Sequence, residues 1–395
     1  MTQRIRVAQV ITRFMAGAGG VALRGALALD PDQYEVVFIT GQGDRLVEEA
    51  WEAGFEVSIM DRMRSDIAIM DDRHTLHELE AFLHDGQFDV VHTHSAKAGT
   101  LGRVAAHRVG VPRIVHTFHG FPFHEFQSRL RRGSYITIER SLGKYTDAFL
   151  AVGPAVAAEA IRLRIAPSER VRTIGVGVET AVPAPDVRSR AEARRLLGVP
   201  PGMQVVGTVG RLDFQKAPAD FVEALAKLGR SDVFGVWIGD GPLRAKLEKS
   251  AAVRGLGGRI RFLGERSDVA ALLPGLDIFA MASLYEGLPC AIVEAMAAGL
   301  PVVATAVNAV PNIVVAGETG LLVPPGRPAL LSGAIAHLLD NPLIAARLGA
   351  AGRAHLGDEL TPVALGNVLA DVYGHLDELP ARASLSAPPE LSQAS

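Results

Sequence analysis

The sequence contains only one cysteine in 395 residues and no long apolar run. One cysteine cannot form an internal disulfide, which indicates a reducing compartment. No apolar run reaches the roughly 18 residues that span a bilayer, and the N-terminal stretch MTQRIRVAQVITRF lacks the apolar region of a signal peptide. The net charge of −3 provides no electrostatic basis for nucleic-acid binding. We therefore expect a soluble, cytoplasmic protein.

Short β-branched segments alternate with helical patterns in both halves of the chain. This alternation predicts right-handed crossovers and parallel sheets, hence an α/β fold with two doubly wound, Rossmann-like domains facing a cleft. The predicted strands are Ile5–Ile11, Glu35–Thr40, Glu56–Met60, Asp89–His92, Ile114–Phe118, Ala148–Val152, Val205–Val209, Phe234–Ile238, Arg261–Leu263, Ile278–Met281 and Pro301–Thr305.

The segment 175–202 is the best candidate for an interdomain linker because it is polar and carries prolines at both ends. We expect residues 1–177 to form the first domain and residues 178–357 the second. Ligands of such sheets bind outside the carboxyl ends of the strands. Residues 380–395 are rich in Ala, Ser and Pro, which predicts a disordered tail.

The first predicted strand leads into the glycine-rich segment MAGAGGVALRGALAL. Gly17, Gly19 and Ala22 match a dinucleotide fingerprint, but the second strand ends in FITG without the acid that would bind a ribose. A nicotinamide-dependent oxidoreductase is therefore disfavoured. Free N–H groups at this helix start could bind an anion. A tight turn packed close to the other domain would explain the same residues.

The second domain begins with the segment TVGRLDFQKAP. Arg211 and Lys216 follow a buried strand there, without a matching run of acids. A guanidinium fork and an ammonium suit a diphosphate, although as isolated charges they would be a solvated loop. No Gly-Lys-Ser/Thr occurs, so this is not a P-loop.

The segment SLYEGLPCAIVEAM contains two glutamates. Pro289 predicts the first position of a helix, which puts Glu286 in the preceding loop and Glu294 in the second turn. The N–H groups around Gly287 and Leu288 then remain available to a ligand. Carboxylates accept several hydrogen bonds from hydroxyls, so the segment suits a nucleotide sugar. The simpler alternative is a surface loop acid followed by a partly buried helix acid.

The segment SLYEGLPCAIVEAMAAGLPVVAT resembles the signature of family 4 retaining glycosyltransferases of the two-domain GT-B type, in which seven residues separate two glutamates. VGRLDFQKA, WIGDGPL, FLGERSDV and GETGLLVPP match the family as well. In the first half, VVHTHSAKAGTLGRVAAHRVGVPRIVHTFHGFPFHE is similar to the acceptor-side domain of bacterial members that build surface polysaccharides and lipid-linked oligosaccharides. The resemblance covers roughly residues 4–375.

The resemblance implies transfer of a hexose or N-acetylhexosamine from a nucleotide diphosphate donor, expected to be a UDP-sugar, to a glycan or polyprenyl-diphosphate-linked acceptor. It implies no metal, no other cofactor and no covalent intermediate. It also implies that the last helix, residues 361–376, crosses back onto the first domain.

The resemblance further implies roles for single residues. Glu286 would contact the donor hexose and Glu294 the ribose, while His119 would lie beside the anomeric carbon. The residues implied to act in catalysis are Glu286, His119, Lys216 and Arg211. Those implied to bind the donor are Arg211, Lys216, Glu286, Gly287, Leu288, Glu294, Gly264, Glu265 and Arg266, the last three near the base. Gly19 and Gly20 would lie near a phosphate or the acceptor.

One segment departs from the family pattern. Where the family commonly has Gly-Gly-x-Pro-Glu, this chain reads Asn308-Ala309-Val310-Pro311-Asn312. The departure affects the expected donor-sugar pocket and therefore the choice of sugar, but not the diphosphate site.

Four histidines could form a metal cluster. His92 and His94 share a strand face, and His116 and His119 flank the next strand end. No acid has a matching spacing, so a metal hydrolase is disfavoured. The Asp30-Pro31-Asp32 triplet is predicted to be a turn.

A helix predicted at residues 127–143 follows a phenylalanine-rich loop. Its basic residues Arg129, Arg132, Arg140 and Lys144 recur at helical spacing. A basic stripe beside exposed aromatics suits an anionic membrane or a lipid diphosphate, and a solvated helix is the alternative.

Three other functions remain open at the level of the sequence. A sugar-nucleotide epimerase would release an altered sugar without an acceptor, and an inactive sugar-binding protein would bind the donor without turnover. A glycosyltransferase could also act on a small-molecule natural product.

Overall fold

The computed structural model describes residues 4–15, 17–43 and 45–374. It contains two parallel sheets, one of seven strands in the order β3-β2-β1-β4-β5-β6-β7 and one of six in the order β10-β9-β8-β11-β12-β13. Each sheet is doubly wound, as predicted from the strand–helix alternation.

The first sheet and its helices comprise β1 Ile5–Phe14, α1 Ala18–Leu27, β2 Tyr34–Gly43, α2 Arg45–Glu52, β3 Glu56–Ile59, α3 Ile69–Gly86, β4 Val90–His94, α4 Ala96–Val109, β5 Arg113–Phe118, α5 Arg129–Gly143, β6 Ala148–Ala151, α6 Pro154–Arg162 and β7 Val171–Thr173.

The rest of the chain comprises α7 Val187–Leu197, β8 Gln204–Val209, α8 Pro218–Leu228, β9 Val233–Ile238, α9 Arg244–Val253, β10 Ile260–Phe262, α10 Val269–Leu272, β11 Ile278–Met281, α11 Cys290–Ala297, β12 Val302–Thr305, α12 Val310–Ile313, β13 Leu321–Val323, α13 Pro328–Asp340, α14 Pro342–His355 and α15 Pro362–Gly374.

Each predicted strand corresponds to a strand of the structure, with ends shifted by up to three residues. The central strands β4 and β5 are buried along their full length, because helices cover both faces of a parallel sheet. The edge strands β7 and β13 were not predicted. Each has only three residues.

The linker prediction was too long at its C-terminal end. Residues 187–197 form α7, whose N-cap Asp186 accepts a hydrogen bond from Ser189 N (2.7 Å) in a capping box. Arg190 and Arg194 of this helix form ion pairs with Asp277 beside β11, so α7 packs on the second sheet.

The strand orders define one topological switch point in each sheet. In the first sheet the chain reverses direction between β1 and β4, and in the second between β8 and β11. Loops leaving two such neighbouring strands diverge and open a crevice at the carboxyl edge. The segments 17–20, 95–96, 210–217 and 282–289 therefore surround the crevices in which ligands of this fold class bind.

The last described helix, α15, packs on the first sheet although it follows the second in sequence. Leu365 and Leu369 are buried against Gly25 of α1, and Tyr373 is fully buried. A methyl group at Gly25 would lie 2.6 Å from Leu369 Cδ1, so a larger residue there would displace the Leu369 side chain. Residues 375 and 376 of the predicted helix and the predicted tail, 380–395, lie outside the described residues.

A buried ion pair fixes α5 against α4. Arg103 donates to Glu139 (Nη2 to Oε2, 2.7 Å), and both side chains are almost completely buried. Glu139 therefore faces inward from the centre of the basic helix. In the described part of the chain, no single helix is long and apolar enough to span a bilayer. Taken together, α13 and α14 have the length and apolar composition of a membrane span, but the chain bends by 104° between the two helices.

Candidate active site

Lys216 and Glu286 form an ion pair where the second sheet changes direction. Lys216 follows β8 and Glu286 follows the neighbouring strand β11, which brings the two loops side by side. Lys216 Nζ lies 2.6 Å from Glu286 Oε1, with the side chains 18% and 5% exposed, respectively. A nearly buried charge pair at a crevice concentrates the local field. The two residues singled out from different motifs therefore belong to one site.

Two neutral side chains orient Glu286. Gln215 Nε2 donates to Glu286 Oε2 (3.2 Å), and Asn308 Oδ1 accepts from the Glu286 backbone N–H (2.9 Å). Asn308 has a φ of 43°, a left-handed conformation that asparagine and glycine adopt most readily. The asparagine that departs from the family pattern thus retains glycine-like backbone freedom and adds a hydrogen bond to the loop.

The other predicted donor-binding cations also have acidic partners. Arg211, 57% exposed, lies 2.5 Å from Asp213, and Arg266 makes a bidentate pair with Asp268 (2.7 and 2.6 Å). The premise that Arg211 and Lys216 lack a matching acid was wrong, because Asp213 lies within the same tight loop and Glu286 lies across the strand boundary. A bound anion would have to exchange with these carboxylates.

Gly264 and Glu265 follow the end of β10 beside Arg266. Gly264 forms an antiparallel bridge with Gly239, and its φ of 77° favours glycine. Glu265 is exposed. Strands β9 and β8 lie between these residues and Glu286, and all of them are at the carboxyl edge of the second sheet. Their role in binding a base stays a prediction.

Helix α11 begins one residue later than predicted. It spans Cys290–Ala297, and Pro289, with φ −77° and ψ 106°, is the N-cap residue because its backbone is still extended. Glu286 lies in the preceding loop and Glu294 inside the helix, as predicted. No side chain caps the helix, and within the described residues the Gly287 and Leu288 N–H groups make no hydrogen bond.

Arg24, like Gln215, is a site residue that the sequence reasoning missed. It lies on α1 in the first domain, donates to the Val176 carbonyl (3.1 and 2.8 Å) and reaches Cys290 Sγ (3.5 Å). Burial raises the pKa of Glu294, and the charge of Arg24 opposes this shift. The mostly apolar pattern of α1 concealed Arg24, and a single arginine on a helix gives no local signal of a cross-domain contact.

The two domains meet backbone to backbone beside Glu286. A methyl group on Gly287 would lie 2.0 Å from the His119 carbonyl oxygen, whereas one on Gly120 would lie 3.6 Å from the Gly287 nitrogen, an ordinary contact distance. Gly153 lies beside Leu288 and Ala309 at contact distance. His119 and the loop that bears Glu286 are therefore in direct contact, although 167 residues separate them in sequence.

His119 is held by a second histidine. Its Nε2 lies 2.8 Å from His94 Nδ1. Burial, assisted by the charge of Arg24, lowers the pKa of His119 to about 3. Burial also lowers the pKa of His94 well below its usual range. Both imidazoles are therefore neutral near pH 7, and His119 acts there as a dipole rather than as a cation.

Aromatic side chains from both domains meet at one side of the cleft. His124 stacks on Tyr285 with ring centroids 4.4 Å apart, and Phe126 makes an edge contact with Phe214 at 5.8 Å. Phe126 and Phe214 remain about half exposed. This cluster joins the loop before α5 to the loops that bear Lys216 and Glu286.

Gly19 and Gly20 are buried in the first turn of α1. Gly17 is its N-cap at φ 81°, and no side chain caps the helix. Gly19 packs against Phe14 and Leu46, whereas Gly20 lies beside the Arg24 guanidinium. The glycines thus allow close packing around Arg24. Contact with a phosphate or acceptor stays a prediction.

The four predicted histidines lie close together but bind one another and neighbouring hydroxyls. His92 and His94 share a face of β4, with ring centroids 4.2 Å apart. His116 Nδ1 lies 2.8 Å from Thr93 Oγ1. In the part of the chain that the structure describes, no three His, Cys, Asp or Glu side chains could together hold a metal ion. Asp30 accepts from the Asp32 N–H (2.9 Å), so that triplet is a turn, as predicted.

The predicted basic stripe on α5 is only partly exposed. Arg140 donates to the Leu163 carbonyl (2.7 Å), and Arg132 is half-buried over the Phe123 ring. Arg140 thus contacts the end of α6, and Arg132 contacts the loop that precedes α5. Phe118 and Phe123 are buried, so Phe126 is the clearly exposed phenylalanine of that loop.

Known proteins resemble both halves of the chain. Residues 189–355 match the family described as "Glycosyl transferases group 1", and residues 15–182 match "Glycosyltransferase Family 4". A D-inositol 3-phosphate glycosyltransferase of Saccharomonospora viridis is 30% identical over 295 residues, which cover 70% of this chain and 68% of that protein.

The chain belongs to glycosyltransferase family 4. The UDP-Gal:alpha-D-GlcNAc-diphosphoundecaprenol alpha-1,3-galactosyltransferase of Escherichia coli is 29% identical over 311 residues, covering 77% of this chain and 80% of that protein. The structure of Anabaena HepE in complex with UDP and glucose superposes with a TM-score of 0.82 at 19% identity, over 94% of this chain and 100% of that one. The fold is therefore GT-B, as predicted, and the protein is a glycosyltransferase.

The contact at Gly287 predicts that Gly287→Ala opens the cleft. Gly287 does not have a positive φ, so only the clash with His119 opposes the added methyl group. Misplacing reacting groups by about 1 Å costs on the order of 100-fold in rate, so we expect a loss of that size in nucleotide-sugar turnover. Small-angle scattering should show a larger radius of gyration.

Gly333→Ala is the matched control, because a methyl group there meets no atom within 4 Å. It should leave both turnover and radius unchanged. Native turnover and radius in Gly287→Ala would contradict the close domain contact.

Proposed function

We propose that this glycosyltransferase transfers a hexose or N-acetylhexosamine from a UDP-sugar to a lipid-linked sugar, with retention of anomeric configuration and without a metal ion. The observation that carries the proposal is the Lys216–Glu286 pair at the switch point of the second sheet. Its chemistry matches the junction between a diphosphate and a sugar, because it offers an ammonium to the phosphate and a carboxylate to the hydroxyls.

The donor phosphate would replace part of the Lys216–Glu286 contact. Lys216 has three N–H donors and gives one to Glu286, so it can turn to a phosphate oxygen without leaving the loop. Arg211, mostly exposed, can leave Asp213 at little cost because exposed pairs are weak. The unpaired N–H groups of Gly287 and Leu288 and the N-terminal end of α11 add positive potential beside the same position.

The sugar and ribose would lie on either side of the diphosphate. Glu286 is oriented by Gln215 and Asn308, which fits a fixed acceptor of hydrogen bonds from hexose hydroxyls. Glu294 lies in the second turn of α11 and would accept hydrogen bonds from the ribose hydroxyls. Gly264, Glu265 and Arg266 would border the base.

UDP is the nucleotide that the comparisons favour. The HepE structures contain UDP, UDP-glucose or UDP with glucose, and the galactosyltransferase relative is named for UDP-galactose. The same relative is named for a diphosphoundecaprenol-linked GlcNAc, which supports a lipid-linked acceptor.

Catalysis would be electrostatic. Charge builds on the leaving diphosphate as the glycosidic bond breaks, and Lys216 and Arg211 would stabilise it. Neutral His119, in contact with the Glu286 loop, would orient hydroxyls near the anomeric carbon without adding a competing charge. The leaving phosphate would assist attack from the same face, so no protein nucleophile or cofactor is required.

Removing the Lys216 ammonium tests the diphosphate site. We expect Lys216→Ala to lower kcat about 100- to 1,000-fold, the effect of losing one transition-state donor. Lys227→Ala, on the exposed surface of α8, is the control and should be neutral. A Lys216→Ala enzyme with native kcat would refute the assignment.

Glu294→Ala should mainly raise the KM for the donor, since ribose contacts are equal in ground and transition states.

The stereochemistry and metal independence are tested together by following a reaction with an α-linked UDP-sugar by NMR in the presence of a chelator. We expect an α-linked product and an undiminished rate. A β-linked product would refute retention, and a rate restored only by added divalent cation would refute metal independence. Release of an altered sugar without acceptor would indicate an epimerase.

Membrane contact is proposed through the start of α5. Arg129, Leu130 and Arg131 are exposed there, close to the exposed Phe126, whereas Arg140 points elsewhere. We expect Arg129→Glu/Arg131→Glu to reduce flotation with anionic liposomes at least about 10-fold, since each basic residue near a membrane contributes about 1 kcal/mol.

Arg188→Glu/Lys246→Glu makes the same charge change on exposed residues of the second domain and should float normally. Equal flotation of both variants would contradict contact through α5 and leave a location at the inner face of the cell membrane without support.

A further inference from the structure

A buried chain of hydrogen bonds connects helix α15 to the cleft. It begins at Tyr373, passes through Gln9 of β1 and His94 of β4, and ends at His119. Tyr373, Gln9 and His94 are each at most 2% exposed. The four residues come from four segments that are distant in sequence, and they meet where the first sheet changes direction.

Each link is short. Gln9 Nε2 donates to Tyr373 Oη (3.0 Å), and Gln9 Oε1 accepts from His94 Nε2 (2.6 Å). His94 Nδ1 lies 2.8 Å from His119 Nε2. A branch leads from Tyr373 Oη to His92 Nδ1 (2.5 Å) and from His92 Nε2 to Thr117 Oγ1 (2.6 Å).

Neutral histidines make this chain directional. A neutral imidazole has one N–H donor and one bare nitrogen that accepts. Burial keeps His92, His94 and His119 neutral, since it lowers the pKa of each, with the charge of Arg24 adding to the effect at His119. Once one donor is assigned, every other donor in the chain follows.

The Gln9 amide makes that assignment. Because Gln9 Nε2 donates to Tyr373, Gln9 Oε1 accepts, and His94 must be protonated on Nε2. His94 Nδ1 is then bare and accepts from His119 Nε2–H. His119 Nδ1 is therefore bare as well, and it makes no hydrogen bond within residues 4–15, 17–43 and 45–374. It is free to accept a hydroxyl hydrogen in the cleft.

We propose that Tyr373, Gln9 and His94 form a positioning relay that holds His119 as its Nε2–H tautomer and presents Nδ1 to a hydroxyl of a bound sugar. The relay rests on the proposed function for its ligand, since a sugar hydroxyl supplies the hydrogen. Because Tyr373 lies on α15, docking of this crossover helix sets the tautomer of a residue at the cleft.

The relay has one alternative arrangement, and the Tyr373 hydroxyl requires every group to reverse together to reach it, because this hydroxyl also bonds to His92. If the Gln9 amide turned over, its Nε2 would face His94 Nε2, which would then have to be bare. His94 would carry its proton on Nδ1, and His119 would have to switch to Nδ1–H. The cleft would then meet a donor instead of an acceptor. The Tyr373 hydroxyl would then have to donate to Gln9 Oε1 and accept from His92 Nδ1–H, so His92 would change its tautomer as well. Without the Tyr373 hydroxyl, the Gln9 amide is no longer coupled to His92, and both of its orientations leave one amide group unpaired in a buried site.

Nitrogen NMR of the full chain labelled with 15N-histidine tests the relay directly, because N–H and bare imidazole nitrogens have well-separated shifts. We expect His119 to be Nε2-protonated in the native chain and to populate both tautomers in Tyr373→Phe. The resonance is assigned with His119→Gln. A native chain with Nδ1-protonated His119, or Tyr373→Phe with an unchanged tautomer, would overturn the proposal.

Tyr34→Phe is the matched control. Tyr34 also donates a hydroxyl to α15, to the Ala370 carbonyl (3.2 Å), but it lies outside the relay. The Tyr34→Phe substitution also removes a phenolic hydroxyl and a hydrogen bond that involves α15. If Tyr373→Phe acted only by loosening this helix, the two variants should change the His119 tautomer equally. We expect the His119 tautomer to change in Tyr373→Phe alone.

Kinetics provide a second measurement. We expect Tyr373→Phe to lower kcat about 10-fold with little change in the donor KM, as when the outer partner of an oriented histidine is removed. His94→Asn keeps an acceptor near the Nδ1 position without the link to Gln9, and should preserve the His119 tautomer even when Tyr373→Phe is added. Loss of the tautomer in His94→Asn would overturn the assigned role of Nδ1.

The two proposals fail separately. The NMR readout needs no substrate, so a native Nε2–H tautomer that responds to Tyr373→Phe supports the relay even if no UDP-sugar reacts. Turnover of UDP-sugars with an unresponsive tautomer would keep the proposed function and remove the relay.

Discussion

The absence of a side chain at Gly287 is the constraint on which the cleft depends. It allows the loop before α11 to touch the His119 carbonyl directly, with Gly120 on the opposite surface. That contact brings the Lys216–Glu286 pair of the second domain next to His119 and Arg24 of the first. The site therefore lies between the switch point of the first sheet and that of the second, and it depends on the strand order as well as on single residues.

The charges of this cleft are arranged in pairs that a ligand can exchange. Lys216, Arg211 and Arg266 each contact a carboxylate, while Arg24 contacts a carbonyl and a thiol. An anionic donor would replace some of these carboxylate contacts and would gain from donors already held in place. The buried histidines contribute fixed dipoles instead of charge, because burial keeps them neutral. Preorganised groups of this kind stabilise developing charge without reorganising during the reaction.

Much of the fold and part of the site could be predicted from the sequence, since both depend on local patterns. Buried parallel strands appear as short apolar runs, and Glu286 and Glu294 bracket a helix start marked by Pro289. What could not be predicted depends on distant contacts. The pairing of Lys216 with Glu286, the reach of Arg24 to Cys290 and the hydrogen bond from Glu286 to Asn308 join segments 22 to 266 residues apart. Helix α7 was missed because flanking prolines outweighed its capping box, and helical spacing alone could not show that Arg140 donates to the Leu163 carbonyl at the end of α6.

The central claim is that Lys216 faces the diphosphate and Glu286 the sugar of one bound nucleotide sugar. Calorimetric titration of Glu286→Gln with UDP and with UDP-sugar tests it most directly. The glutamine no longer holds the Lys216 ammonium by charge, so UDP should bind at least as tightly as to the native chain. The extra affinity that the sugar provides should be lost. Weaker binding of UDP, with the contribution of the sugar unchanged, would contradict the account.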